Sequence, residues 1–344
     1  MQVFDATHPE ERRPSMAMIW TALVSVWIVW GSTYLAIRVG VETIPPLLMA
    51  SARFLVAGSI LYLIARPRRR DPSSERPTPV HWRSAAIIGG ALLLGGNGLV
   101  SIAEQSVPSG IAALIIASVP LFLAVGDRVA FRKRLSWVAV LGLLVGFAGV
   151  ALLVGQSLAG RLDLFGTGLL VLASLSWASG SLYARAAPLP RNPMLAAAME
   201  MVAGGVVLLV AASVTGEFGK LDLAGISLES LLGLGYLVVF GSWVGFVAYI
   251  WLLSKTSTAL VGTYAYVNPV VAVLLGWAVL NEAVTSRTLL AGLVIVVGVA
   301  LIVGAREPRP LAGDPGAGEP PVPRRRLRRA LGLVRRLQRV PAGR

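Results

Sequence analysis

The chain has 344 residues, 56% of them hydrophobic and 14% charged, with a mean hydropathy of +0.74; too little polar surface is left to cover a soluble globule, so lipid is the solvent for most of it. A formal net charge of +14 invites a nucleic-acid partner, but most of the 31 basic residues fall in the two tails and in every second loop, which is a signal of membrane topology and argues for no nucleic-acid partner. With no cysteine there is no thiol nucleophile, no disulfide framework and no thiolate metal site.

Residues 1–15 read as a cytoplasmic tail. The first apolar stretch lacks a small-residue cleavage site and is expected to stay as a helix. Crossing about 30 Å of hydrocarbon takes about 20 helical residues. Windows of that length lie at 16–37, 46–65, 84–103, 109–127, 137–155, 164–184, 194–214, 230–253, 258–279 and 287–304. They are continuously apolar rather than alternating, which excludes barrel strands and leaves helices, whose backbone groups are satisfied within each segment. Six arginines in loop 66–83, three basic residues at 132–134 and eleven arginines from Arg306 onward lie on one side, whereas loops 156–163 and 215–229 carry few basic residues. The fold expected is an all-α integral membrane protein with ten transmembrane helices and both termini cytoplasmic.

The ten segments fall into two sets of five, 16–157 and 158–305. At an offset of 147, Trp30 meets Trp177, Ser32 meets Ser179, Arg38 meets Arg185, Pro46 meets Pro193 and Gly58 meets Gly205. At an offset of 149, Ser109 meets Thr258, Pro120 meets Pro269, Ser136 meets Thr285 and Gly149 meets Gly298. An odd number of spans per unit inserts the second unit upside down, the inverted repeat of many secondary transporters, with substrate bound near the midplane between the halves. The runs WGSTYLAIRVGVETIPPLLMASARFLVAG at 30–58, VPSGIAALIIASVPLF at 107–122 and TYAYVNPVVAVLLG at 263–276 resemble the drug/metabolite transporter superfamily, and within it the EamA-type permeases of the YedA-like bacterial inner-membrane exporters. The resemblance covers about residues 18–305. It implies ten helices in two EamA repeats and export of a small-molecule substrate, such as a metabolite, an amino acid or a drug, driven by an ion gradient; it does not name the solute.

Polar side chains at bilayer depth are the candidate site. Glu200 and Arg53 are repeat partners: Glu200 is a candidate for proton coupling and Arg53 for a charge partner, and the alternative is that both are structural. Pro120 and Pro269 interrupt helical runs and free carbonyls about four residues earlier. Tyr264 and Asn268 share a helix face, and with Ser118 and Asn97 they form a candidate polar cavity; core packing is the alternative for each. Trp30 and Trp177 are candidates to face substrate, while Trp27, Trp243 and Trp251 read as an interfacial belt. Gly142-x-x-x-Gly146 marks either a homodimer face or an internal helix contact. Glu104 and Gln105 read as a solvated rim rather than a gate. After a Pro/Gly-rich linker, Leu327, Leu331, Val334 and Leu337 make an apolar stripe amid arginines, either a basic amphipathic helix on anionic lipid headgroups or an unstructured basic tail.

The reading is of a transporter, not an enzyme, with no cofactor and no metal. His8 and His81, the two histidines, lie outside the spans, so no base is at hand for a membrane nucleophile. The absence of a phosphate-binding GxxxxGK[ST] loop argues against an ATP-driven pump. A passive channel and an uncoupled uniporter or exchanger stand as alternatives.

Overall fold

The structure is a computed structural model and describes residues 15–66, 75–130, 136–158, 163–255 and 263–304; both tails, and with them the amphipathic C-terminal segment, lie outside these. Among the described residues there is no strand. The helices are α1 Met16–Gly40, α2 Pro46–Ala65, α3 Pro79–Gly89, α4 Leu99–Ala103, α5 Ser109–Ile116, α6 Val119–Ala130, α7 Trp137–Leu158, α8 Leu164–Ala184, α9 Pro193–Val214, α10 Leu228–Tyr236, α11 Gly245–Lys255, α12 Tyr264–Leu280 and α13 Ser286–Gly304. A π-helical segment joins α3 to α4, π1 Gly90–Gly98, and another joins α10 to α11, π2 Leu237–Val244.

Among the described residues, seven helical stretches are long and apolar enough to cross a membrane: Met16–Gly40, Pro46–Ala65, Pro79–Ala103, Ser109–Gly126, Leu164–Ala184, Pro193–Val214 and Leu228–Tyr249. Three shorter apolar helices, Trp137–Leu152, Val267–Leu280 and Ser286–Ile302, accompany them. The surface is inverted relative to a water-soluble bundle. Leu144, Leu172, Val210, Leu274 and Leu293 are exposed, whereas Ser51, Ser101, Ser118, Ser174, Ser230 and Ser242 are buried. Apolar side chains outward and small hydroxyls between helices is the pattern lipid imposes, because packing and small residues hold such helices together.

Helix starts follow their caps. Ser15 accepts from the Met18 N–H at 3.2 Å and opens α1. Thr78 and His81 form a reciprocal capping box with Pro79 at the first helical position, so α3 starts five residues before the expected 84. The segment expected as one kinked helix at 109–127 is two: α5 ends at Ile116, the Ser118 hydroxyl donates to Ile115 O at 2.6 Å, and Pro120 sits in the opening turn of α6. Proline is tolerated there because its missing N–H has no partner in a first turn. Its repeat partner Pro269 stays inside α12.

Repeat partners pack on each other. α2 lies along α9 and α7 along α13, and α5 packs on α12. Glycines set the spacing. A Cβ on Gly58 would come within 2.6 Å of Met201 Cβ, and one on its partner Gly205 within 2.9 Å of Leu55. As position 55 advances to 58, its neighbour falls from 205 to 201, so α2 and α9 are antiparallel. α7 and α13 are likewise: Gly142 meets Gly298 and Ile302, and Gly149 meets Ile295. Gly142-x-x-x-Gly146 is therefore used in an internal helix contact. Antiparallel crossing of equivalent helices is what a two-fold axis across the bundle produces.

Candidate functional site

The first helix of each half crosses to the other half. α1 packs on π2 and α11, and α8 packs on π1 and α4. The contacts are built from equivalent parts. In π1, Gly96 leaves room for the Trp177 ring, which a Cβ would approach to 2.6 Å, and the adjacent Asn97 donates to Leu92 O, five residues back, at 3.4 Å. In π2, Trp30 Nε1 donates to Gly241 O at 3.2 Å, and the adjacent Ser242 donates to Leu237 O, again five residues back, at 3.1 Å. A π segment carries irregular backbone hydrogen bonding into the middle of a span, and such segments gather at functional sites. Here each is steadied by a polar side chain of its own and faced by a tryptophan from the opposite half.

Around Trp30 an aromatic cluster closes. Its ring lies 5.2 Å from Tyr264 at 88° and 5.0 Å from Tyr249 at 41°, and Tyr249 and Tyr264 stand 6.0 Å apart at 86°. Edge-to-face pairs of this kind contribute about 0.5–1.5 kcal/mol each. Asn268 is buried, and with its amide nitrogen toward α1 it donates to Trp27 O at 3.2 Å and to Tyr264 O at 3.1 Å. It ties α12 to α1 beside the cluster. Pro269 follows, leaving the Ala265 carbonyl without the usual intrahelical donor.

Arg53 belongs to the same neighbourhood. Its Nε donates to Ser242 Oγ at 3.0 Å, and its guanidinium passes beside Gly241, where a Cβ would come within 3.0 Å of Nη2. Glu200 is elsewhere: it sits mid-α9, half-buried, with its backbone carbonyl against Gly89 of α3. No ion pair joins Arg53 and Glu200; Glu75 Oε1 lies 3.7 Å from His81 Nε2, an ion pair when the imidazole is protonated. The structure thus brings together Trp30, Tyr264, Asn268, Pro269 and Arg53 around π2, and Trp177 with Asn97 around π1. Ser118 and Pro120 mark the α5/α6 break, and Glu200 lies on α9, which packs along α3 and π1, with its carbonyl against the residue that precedes π1.

Two expectations change. Trp27 and Trp243 were read as an interfacial belt, yet both reach into the bundle: Trp27 Nε1 donates to Thr263 Oγ1 at 3.2 Å and Trp243 Nε1 to Ala57 O at 3.0 Å. Glu104 is no rim residue, being 0% exposed; the chain turns back at residues 104–107 and α5 begins at Ser109, which folds Glu104 inward while Gln105 stays exposed. Sequence reading also missed Tyr249, Ser242 and both π segments. The available signals were the glycine clusters at 95–98 and 241–245.

Profiles of the EamA-like transporter family match residues 16–155 and 164–304, one copy in each half. The chain is 45% identical over 287 residues to the inner membrane transporter YedA of Escherichia coli K12, covering 82% of this chain and 89% of that one. It is 24% identical over 286 residues to the Bacillus subtilis transporter YoaV, with 83% and 96% covered. It is 25% identical over 296 residues to a probable amino-acid metabolite efflux pump of E. coli K12, with 81% and 92% covered. A crystal structure aligns at a TM-score of 0.56 and 20% identity over 86% of this chain and all of its own, a likeness of fold alone. The chain is a multi-pass inner-membrane protein and belongs to the EamA-like transporter family.

Proposed function

We propose that the protein is a secondary active transporter that exports small metabolites, amino acids or drugs by alternating access, coupled to the proton gradient, and that it is a carrier rather than an enzyme. In this reading ten helices span the membrane as two five-helix repeats, 16–157 and 158–305, with both termini in the cytoplasm. The observation that carries it is the matched pair of crossovers, Trp30 on π2 and Trp177 on π1. A carrier needs two conformations of similar energy open to opposite sides, and an inverted repeat supplies them by exchanging the roles of its halves. The aromatic cluster of Trp30, Tyr249 and Tyr264 beside Arg53 and Asn268 offers ring faces and hydrogen-bonding groups for a small polar or aromatic solute.

The test is uptake into inside-out membrane vesicles, with and without an imposed proton gradient, across labelled amino acids, their analogues and cationic drugs. Saturable, gradient-stimulated accumulation with counterflow is expected. Saturable exchange indifferent to the gradient would make the protein an uncoupled exchanger or uniporter, and flux without saturation or counterflow would make it a channel.

A further inference from the structure

Among the described residues, three buried side-chain atoms lack a hydrogen-bond partner: both carboxyl oxygens of Glu104, in the turn between α4 and α5, and Oγ of Ser109, the first residue of α5. The charged groups around Glu104 make their hydrogen bonds to atoms other than its carboxyl oxygens. Arg38, from α1, donates through Nη1 to the backbone carbonyl of Glu104. Glu282, between α12 and α13, spends one oxygen on the Ser109 N–H at 2.7 Å and the other on the Gly110 N–H at 3.1 Å. Asp163 ahead of α8 is taken up by Ser106 Oγ at 2.8 Å and the Gly166 N–H. A shallow surface depression lined by Pro108, Ile111, Glu282 and Thr288 lies beside Glu282.

A carboxylate shut away from water with no donor on either oxygen is among the costliest groups a protein can bury, and a second carboxylate nearby adds repulsion. Burial first and Glu282 second push the Glu104 carboxyl well above its ordinary range, against the opposing pull of Arg38. Protonation removes the charge. In a state where this end of the bundle was open, water would solvate the carboxylate and restore the ionised form.

We propose that Glu104 is a proton-binding site and that closing this end of the bundle takes up one proton on its carboxyl. The proposal deepens the transporter reading and rests on it, since it assigns the coupling proton to Glu104 in place of Glu200. The sign follows from linkage: the closed form holds the higher proton affinity, so closure is fully favoured below the open-state pKa of an ordinary glutamate, about 4.3, and weakens about tenfold per pH unit above it until the closed-state pKa is passed.

The cysteine-free chain makes the test direct. Val107, fully buried in the same turn, is replaced by cysteine, and its maleimide labelling rate in membranes is divided by that of a cysteine at Leu223, which is 76% exposed. The ratio cancels the pH dependence of the thiol itself. It is expected to rise with pH by up to about tenfold per unit, and to become flat and low in Glu104→Gln, a neutral isostere. In a second measurement that needs no folded variant, wild-type protein at neutral pH should show the infrared carbonyl stretch of a protonated carboxyl, lost when the pH is raised. A wild-type ratio independent of pH, an unchanged slope in Glu104→Gln, or a missing carboxylic-acid band would each overturn the proposal. Neither readout needs a substrate, so failure here is distinguishable from failure in the vesicle assay.

Discussion

Carboxylates outside the helices close helix starts at one end of this bundle. Glu217 Oε2 accepts from Leu47 N at 2.9 Å and Leu48 N at 3.0 Å, Glu282 caps α5, and Asp163 caps α8. Proline at 45, 46 and 108 fixes the turn into α2 and α5 but offers no side-chain acceptor, so a distant acid satisfies the open N–H groups and meets the positive end of the helix dipole. The Gly166 N–H, then the Ser106 hydroxyl, hold the Asp163 carboxyl below its ordinary value. A carboxylate with a depressed pKa stabilises the fold above its unfolded value, about 3.9, and loses that contribution as pH falls through the folded value. Asp163→Asn is therefore expected to lower the melting midpoint in detergent at pH 7, with the gap to wild type narrowing below about pH 4. A gap that stays constant down to pH 3 would show that the cap acts without its charge. These caps also mark where sequence reading stops. Thr78 and His81 are three positions apart and their box is visible in the chain, whereas Glu217 and Leu47 are 170 positions apart, and no local pattern announces their meeting.

At the scale of the element, apolar length located the ends of the seven long stretches to within about five residues, because hydrocarbon thickness leaves little choice. The breaks inside the spans were harder to read. A π segment adds a residue to a turn without changing hydropathy, so π1 and π2 hide in runs that look uniformly apolar, and the α5/α6 break hides behind a proline that reads equally as a kink. Glycines, by contrast, divide cleanly once their neighbours are known. A Cβ on Gly298 would overlap the backbone of Gly146 and come within 2.8 Å of Gly142 O, whereas one on Gly168, inside α8, meets nothing within 4 Å. Gly298→Val should force α7 and α13 apart at a cost of about 1–3 kcal/mol. Gly168→Ala should stabilise by about 0.5–1 kcal/mol, since alanine gives up less backbone entropy on entering a helix. Melting midpoints in detergent should move in opposite directions. Equal shifts would mean that the close helix contact is not what sets stability at position 298.

For the whole molecule, the inverted repeat and the charge bias make one joint prediction about orientation. α1, α4, α9 and α12 finish at the end that holds Glu104, Glu217 and Glu282, and Arg66, Arg76, Arg83 and Arg128 lie at the other. If the basic end is cytoplasmic, the acidic caps and Glu104 face the periplasm, where an inward-directed proton gradient supplies protons to a group that binds them on closure. Three single cysteines test this in an otherwise cysteine-free chain: Leu223→Cys at the acidic end, Val80→Cys in the first turn of α3, and Arg344→Cys at the C-terminus. An impermeant maleimide added to intact spheroplasts should label Leu223→Cys alone, and inside-out vesicles should show the reverse. The terminal position decides the count, because an even number of spans returns the C-terminus to the side of the N-terminus and an odd number does not. Labelling of both Leu223→Cys and Arg344→Cys from outside while Val80→Cys stays protected would leave the loops correctly sided but remove a span after Leu223, with Val267–Leu280 and Ser286–Ile302 the two shorter candidates. Without that crossing α13 could not lie antiparallel to α7 across the full bilayer, and the pseudo-symmetry that pairs Gly149 with Gly298 would be a feature of packing rather than of alternating access.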